Sequence, residues 1–571
     1  MQGLILEPLK FYTEYAKERH RANLNEHFDS LVERSGIDVE QNRATVRRYD
    51  NEMKKVEAAE KKLTKYRVLF GLLIALGVIG IILFIGGVGS IEDEVTIGTA
   101  LIGTGMLFAV LGFVLAFTTV RKRAKNIEKI KATLDEAANK IRLQALGEMS
   151  ALNGLFASRD TLTLIEKTMP EIKFDRTYTR ARERELIEKY DYIDMTDDNT
   201  SVTDMLSGDL FGNPFLYERY TSEEMGTEVY HGTRTIFWTE TYRDSDGRMR
   251  TRTRTQVLHA SVVKPKPRYF KNTHLGYGAD AAPDLSFTRA ESDVDELSER
   301  ALERRIRKGE KDLAKKAQKA LEDGKDFQEM SNSEFEVLFG AKDRNHEVQW
   351  RVLYSPLAQV NTVDLLKSKD GYGDDFNFIK RGKFNIIKSK HAQIWNMDLS
   401  PVRYRTHSVD LSRKMFLEFN EEYFKSIFFD MAPLMSIPAY HTSPGDPFCD
   451  EKNAARPTAY VHEALANAIG DSAFVGPDAA TDAILKTAII SENDDEARVR
   501  VSAYYFTAIP RTDLIPVMGG DRRLHTVPVP WLEYFPATNT RDMTVCKSEA
   551  AGAHIPKTKS AFMHGMFAFV D

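Results

Sequence analysis

Residues 68–90, VLFGLLIALGVIGIILFIGGVGS, and residues 95–120, VTIGTALIGTGMLFAVLGFVLAFTTV, decide how this chain is read. They hold 23 and 26 residues without a charge and are separated only by Ile91-Glu92-Asp93-Glu94. With about 1.5 Å of rise per residue, each is about 35–39 Å long, enough to cross a hydrocarbon core of about 30 Å with some tilt. Backbone N–H and C=O groups find no water in hydrocarbon, so both runs are expected to be helices of a two-span transmembrane hairpin.

The flanks predict its orientation. Lys54, Lys55, Lys61, Lys62, Lys65 and Arg67 precede the first run, and Arg121, Lys122, Arg123, Lys125, Lys129 and Lys131 follow the second, whereas the linker carries only acids. This bias places both termini in the cytosol, with the anchor in the inner (cytoplasmic) membrane. Within the second run Gly98, Gly105 and Gly112 recur every seven residues, with Ala109 and Ala116 between and beyond them. They predict a small-residue packing seam, within the hairpin or between protomers. Neither run contains Asp, Glu, Lys, Arg or His, which argues against a transporter.

The rest of the 571 residues has the composition of a soluble protein, and a net charge of −5 gives no reason to expect nucleic acid as a partner. Two cysteines, Cys449 and Cys546, imply no disulfide framework and fit a reducing cytosol. The first 25 residues are charged throughout, so no cleavable signal peptide is expected and the first span serves as the targeting signal.

Outward from the hairpin the fold class expected is α+β: a helical stalk and a multidomain cytosolic body. Residues 1–67 read as amino-terminal helices and one stalk arm, and 121–190 as the returning stalk helix with short helices. Apolar stripes at Val46, Tyr49, Met53, Val56 and Leu63, and at Ile127, Ile130, Leu134, Ala137 and Ile141, suggest an antiparallel coiled coil. Residues 191–290 are β-rich. Alternation from Gly226, a turn at 244–247 and a second alternating run from Met249 to Val263 predict a long β-hairpin ended by Pro265 and Pro267. Residues 291–327 read as one charged helix from Ser292 to Asp323, N-capped by Ser292 or Asp293.

In 328–440, residues 335–339 and 348–354 read as strands, Pro356 opens a helix, and 376–379 and 383–387 read as strands about Arg381-Gly382. Residues 441–571 form a separate α+β domain, with helices at 458–469 and 478–488 and extended runs at 497–509 and 525–534.

The stretch SEFEVLFGAKDRNHEVQWRVLYSPLAQ, residues 333–359, followed by FNFIKRGKFNII, residues 376–387, resembles a domain-of-unknown-function family of bacterial membrane proteins. That family also carries a membrane hairpin near its amino terminus. The resemblance covers residues 330–390 and the hairpin arrangement, and it implies architecture but no active residues. The long β-hairpin and the residues after His441 lie outside it.

A search for chemistry returns little. His462-Glu463 opens like a helical zinc motif, but Ala466 stands where the second ligand is required. His441, Asp446, Cys449, Asp450 and Glu451 are the densest set of ligand types, in a Pro/Gly loop where turn chemistry explains them as well, so no metal and no cofactor is expected. There is no phosphate-binding loop and no nucleophile elbow. The spread of Trp238, Trp350, Trp395 and Trp531 suits cores. Arg250, Arg252 and Arg254 share one strand face, a candidate anion patch or a solvated edge. The expected function is a membrane-anchored, non-enzymatic scaffold, a homo-oligomer bound to the lipid bilayer that assembles with itself or docks a cytosolic protein partner. The alternatives are an enzyme with a non-local site about His441–Glu451 and His462, and an oligomeric pore.

Overall fold

Two features of the chain, long apolar helices and long alternating strands, become the two largest structures of an α+β protein. The computed structural model describes residues 5–90, 95–243, 246–324, 327, 329–369, 371–394, 398–445, 448–493, 495–547, 559–563 and 565–570. The linker 91–94 and Trp395 lie outside them. Contacts divide the chain into two units, one of residues 24–158 and 400–420, the other of 1–23, 159–399 and 421–571.

In the first unit a single helix, Val39–Ser90, runs 52 residues, about 78 Å. The return path is helical from Val95 to Glu148, through Val95–Val114, a π-helical turn Leu115–Val120 and Arg121–Glu148. Pairing of Arg67 with Glu128 (3.5 Å), Glu60 with Lys131 (3.3 Å) and Thr45 with Glu148 (2.9 Å) makes the two paths antiparallel. Both long helices are long and apolar enough to cross a membrane.

Buried positions on the outgoing helix follow 3-4 spacing through Thr45, Val56, Ala59 and Leu63 to Gly77, Gly80 and Gly87. The expected stripes are each displaced at one position: Met53 is 38% exposed and Ile130 56% exposed. Ala59 lies buried on the outgoing helix, and on the return Lys131 lays its stem along the seam with its ammonium on Glu60. On the return path the steps between buried or half-buried positions 112, 116, 120 and 124 are all four, one residue more than a heptad allows. The π turn takes up that extra residue and keeps the seam on one face.

In the second unit every strand pairing is antiparallel. The strands are β1 Ile172–Phe174, β2 Thr200–Leu210, β3 Asn213–Arg243, β4 Met249–Gly278, β5 Ser286–Arg289, β6 Phe376–Arg381, β7 Phe384–Ser389, β8 Ile484–Glu492, β9 Glu496–Met518, β10 Leu524–Lys547, β11 Ser560–Met563 and β12 Met566–Val570. One sheet has the order β1-β2-β3-β4-β7-β6-β5 and the other β11-β12-β10-β9-β8. The helix Ala459–Ile469 packs on β2 of the first and on β8, β11 and β12 of the second, and the core collects about it.

The β3–β4 hairpin is longer at both ends than its alternation suggests, and β4 passes through Pro265 and Pro267 to Gly278. The two prolines are two apart and pair with Met225 and Thr227, so both missing N–H groups point away from β3. On that side β4 meets β7 only at Leu275–Gly278, and no ladder bond is lost. The same arithmetic admits Pro510 and Pro516 in β9 and Pro528, Pro530 and Pro536 in β10, all of one parity in the β9–β10 register. Residues 484–492 are a strand where a helix is expected at 478–488.

The reverse error occurs at 335–339 and 348–354, which are helices, Ser333–Phe339 and Glu347–Leu353. Short apolar runs do not distinguish the two periods, and here local caps decide. The Asn332 side chain accepts from Phe335 N, His346 Nδ1 accepts from Gln349 N, and Gly340 ends the first helix with φ 62°. The charged helix is Glu299–Glu322, with Ser298 at its N-cap position making no side-chain cap bond. Ser292 and Asp293 instead bond Asp374 and Arg305. Gly309 lets Val337 of the neighbouring helix approach closely.

Candidate functional site

The small residues of the second apolar run meet the first one face to face. A Cβ added to Gly80 would stand 2.7 Å from Gly105 O and closer still to Ala109 N, and one added to Gly112 would stand 2.7 Å from both Gly77 N and Leu73 O. Gly98 and Ala116 are buried on the same line and Ala109 is half-buried. Gly98, Gly105, Ala109, Gly112 and Ala116 thus line the contact between the two paths, and Gly77, Gly80 and Gly87 of the first run complete it. The 3- and 7-residue spacing of those three glycines was the available signal. Around this seam the large side chains point outward: Leu72, Ile82, Ile85 and Met106 are 60% or more exposed.

The two β-hairpins, β3–β4 and β9–β10, lie layer on layer and form an arm. Ile236, Leu258 and Val527 fill the space between the layers, with Trp238, Ala260 and Val517 against them. Charged groups also turn inward. Lys264 sits 2.7 Å from Asp513 with its ammonium over Trp531, Trp531 Nε1 donates to Asp513 at 2.8 Å, and Arg234 donates to Thr526 O at 2.7 Å. Arg250, Arg252 and Arg254 follow on the same side toward the tip. Arg254 Nε bonds Glu240 at 2.9 Å, and Arg252 approaches the same carboxylate at 3.4 Å with its guanidinium over Tyr242. One carboxylate therefore serves two of the three arginines, and Arg254 holds Glu240 below the usual carboxylate range.

A cleft of about 1100 Å³ is lined in part by Asp175, Arg182, Asp209, Cys449 and Asp450. Arg182 bonds Asp175 (3.0 Å), Asp209 (3.0 Å) and Glu185; burial opposes its charge, but these carboxylates hold it above its ordinary value. The cation is committed to its own chain. The metal-type residues are dispersed. His441 stacks on Phe211, its Nε2 lies 2.9 Å from Met435 O, and burial pushes it down to about 4. Asp450 binds Arg184 and Asn453, Cys449 is exposed, and Asp446 lies outside the described residues. Among the described residues no three His, Cys, Asp or Glu side chains could hold a metal ion. His462 is buried and pushed down to about 4, while Glu463 accepts from Val202 N at 2.6 Å and burial pushes it up to about 7.

Two buried networks have no local sequence signature. His391 lies between Asp375 (2.6 Å) and Asp430 (3.3 Å), with Tyr372 stacked on its ring, and Asp430 also accepts from Tyr217 and Ser389. Burial alone would lower its affinity for a proton; the two carboxylates outweigh burial and push His391 up to about 10. The residues come from β3, β7, the loop before β6, the start of the helix Lys390–Ile394 and the helix Val409–Met435, so the network ties helix to sheet. At the foot of the arm Glu218 of β3 and His274 of β4 are partners across the ladder, both fully buried, 3.3 Å apart. Burial pushes Glu218 up to about 8 and His274 down to about 3.

Comparison with protein-family models, with curated proteins and with solved structures found no match.

Proposed function

We propose that this chain is a membrane-anchored, non-enzymatic scaffold on the cytosolic face of the bacterial inner membrane, which assembles with itself or docks a protein partner. The observation that carries the reading is the helical pair: Gly77, Gly80, Gly87, Gly105 and Gly112 line its inner contact, and large side chains such as Leu72, Ile82, Ile85 and Met106 face outward. That distribution suits hydrocarbon as the surrounding solvent. The lysines and arginines before Val68 and after Val120, against the acids of the linker, favour a cytosolic body. Among the described residues the metal-type side chains are dispersed, and the Arg182 cation in the cleft is held by Asp175, Asp209 and Glu185 of its own chain.

Exposed Cys449 is a built-in reporter of topology. In spheroplasts expressing the chain, a membrane-impermeant maleimide is expected to leave Cys449 unlabelled until lysis, and the protein is expected to stay with the membrane in alkaline carbonate. Labelling of Cys449 before lysis would overturn the orientation, and release by carbonate would overturn the anchor.

A further inference from the structure

Beside the apolar runs of the helical pair, cations outnumber the acids that could hold them. Residues 57–67 of the outgoing helix and 121–131 of the return path carry ten lysines and arginines against three glutamates, in a chain whose net charge is −5. Each glutamate already has a base: Glu57 lies 2.6 Å from Lys61, Glu60 3.3 Å from Lys131 and Glu128 3.5 Å from Arg67. Seven cations remain, Lys62 and Lys65 on the outgoing helix and every base but Lys131 on the return path. All seven are exposed, and among the described residues they make no ion pair and no side-chain hydrogen bond. The covered positions between them belong to the seam: Leu63 and Val120 are buried, and Ala124 and Ile127 are half-buried. At about 100° per residue the free cations from Arg121 to Lys129 span about 200° of the return helix, and the seam lies outside that arc.

We infer that these seven cations form a collar that binds the headgroups of anionic lipids. The proposal rests on the membrane-anchor reading and names the class of lipid that the anchor takes. Position fixes the partner. Arg67 adjoins Val68 and Arg121 adjoins Val120, with no residue between charge and apolar run. A bilayer of about 40–45 Å with a hydrocarbon core of about 30 Å leaves about 5–8 Å of headgroup on each side. At about 1.5 Å per residue, Lys65 and the bases from Arg121 to Lys125 fall within that layer. Lys62 and Lys129 stand about 9 and 13 Å from the apolar boundary, at the edge of a screening length of about 8–10 Å. The Arg121 guanidinium lies 5.6 Å from the centre of the Phe117 ring inside the apolar run, which ties that cation to the boundary. A cation there with no acid of its own chain meets lipid phosphate. In a zwitterionic headgroup the phosphate is balanced by the headgroup's own ammonium, whereas in an anionic headgroup it is not, so the collar discriminates between the two.

The test uses the full chain in neutral detergent, mixed with equal amounts of phosphatidylglycerol and phosphatidylcholine, repurified and analysed for retained lipid by mass spectrometry. At about 0.1 M salt phosphatidylglycerol is expected to be enriched at least about fivefold, the factor that one cation near a charged surface is worth. The enrichment is expected to collapse at about 1 M salt, where the screening length is about 3 Å. Lys122→Gln with Arg123→Gln and Lys125→Gln is expected to remove about half of it or more. Lys308→Gln with Lys311→Gln and Lys315→Gln takes the same charge from exposed positions of the helix Glu299–Glu322 and should leave it unchanged. A wild-type ratio near one overturns the proposal and leaves the cations as a topology signal alone. So does an enrichment that survives the first variant, or one that falls equally in the second. Loss of the enrichment to inorganic phosphate, but not to chloride at the same ionic strength, also overturns it, by making the ligand free phosphate. The wild-type ratio and its salt dependence decide even where a variant misfolds. Carbonate extraction keeps the anchor separate: a ratio near one in protein that carbonate does not release refutes the collar alone, whereas release refutes the anchor.

Discussion

The helical pair and the β-arm both expose uncharged side chains along their length, yet they differ in what those side chains are. Around the helical pair they are Leu72, Ile79, Ile82, Ile85 and Met106, and the inner line is glycine and alanine. On the arm the outward residues are mainly threonine, valine and proline, and the inner register holds ion pairs such as Lys264–Asp513. A surface facing hydrocarbon must avoid charge and return its hydroxyls to its own backbone, as Thr99, Thr104 and Thr118 do, whereas one facing another protein need only avoid unpaired charge. The two surfaces thus differ in the size and polarity of their uncharged side chains.

The sharpest way to break the helical half of this comparison is to push the two paths apart. Gly80→Leu drives a branched side chain into the backbone at Gly105 and Ala109, with no flexible neighbour to yield. A loss of about 3 kcal/mol or more is expected, read as a lowered melting temperature in detergent. Gly103→Leu, with nothing within 4 Å of an added Cβ, is the matched control and should melt as wild type does. Equal behaviour of the two variants would mean that the paths are not held by this seam.

The arm is broken from inside. Ile236 is 6% exposed and packs against Leu258 and Val527 between the layers. Ile236→Ala is expected to cost about 2 kcal/mol in denaturant unfolding, the lower end for a buried aliphatic truncation because the site is thin. A value near zero would show that the hairpins do not depend on their mutual packing.

The sequence made the helices and the first hairpin legible for a simple reason: both carry uninterrupted periods, one without charge and one of two. The seam was half legible, since Gly105 and Gly112 repeat at seven while Gly77, Gly80 and Gly87 sit in a run rich in glycine. The second hairpin was hidden by its five prolines, which look like breakers until the register shows that they share one parity. Phe335, Phe339, Trp350 and Tyr354 looked like strand residues because the caps that make them helical, Asn332 and His346, bond only local amides. Asp375, His391 and Asp430 meet from separate elements, and no local pattern records such a meeting.

At the foot of the arm the comparison can be sharpened by pH. Folded Glu218 is pushed up to about 8 from its ordinary 4.5, so the folded protein binds this proton more tightly, and its contribution is full below about 4.5 and lost as pH rises toward 8. His274, pushed down to about 3, acts oppositely, but only below about 6.5. Between pH 6.5 and 8 Glu218 therefore removes up to about 2 kcal/mol of stability. His391, pushed up to about 10, has the same sign in that window and is untouched by a change at Glu218. Glu218→Gln should flatten Glu218's share of the slope in urea midpoints measured from pH 6.5 to 8. An unchanged slope would assign the pH dependence to other groups, among them His391, Glu463 and Lys380.

The smallest effect is expected at the tip, where the arm's inward face runs out of cover. Arg254 and Glu240 are 45% and 40% exposed, so water competes for both partners and salt screens them. Arg254→Ala should leave the unfolding midpoint within experimental scatter. In a double-mutant cycle with Glu240→Ala, any coupling should vanish at about 1 M salt, where the screening length is about 3 Å. The control is Lys264 with Asp513, the same kind of pair between the layers, with side chains 24% and 32% exposed and an indole beneath the ammonium. Its coupling should outlast the salt that abolishes the tip pair, because the second layer and Trp531 shield it from ions. If the tip pair proved equally salt-resistant, its face would be covered in the detergent-solubilised protein.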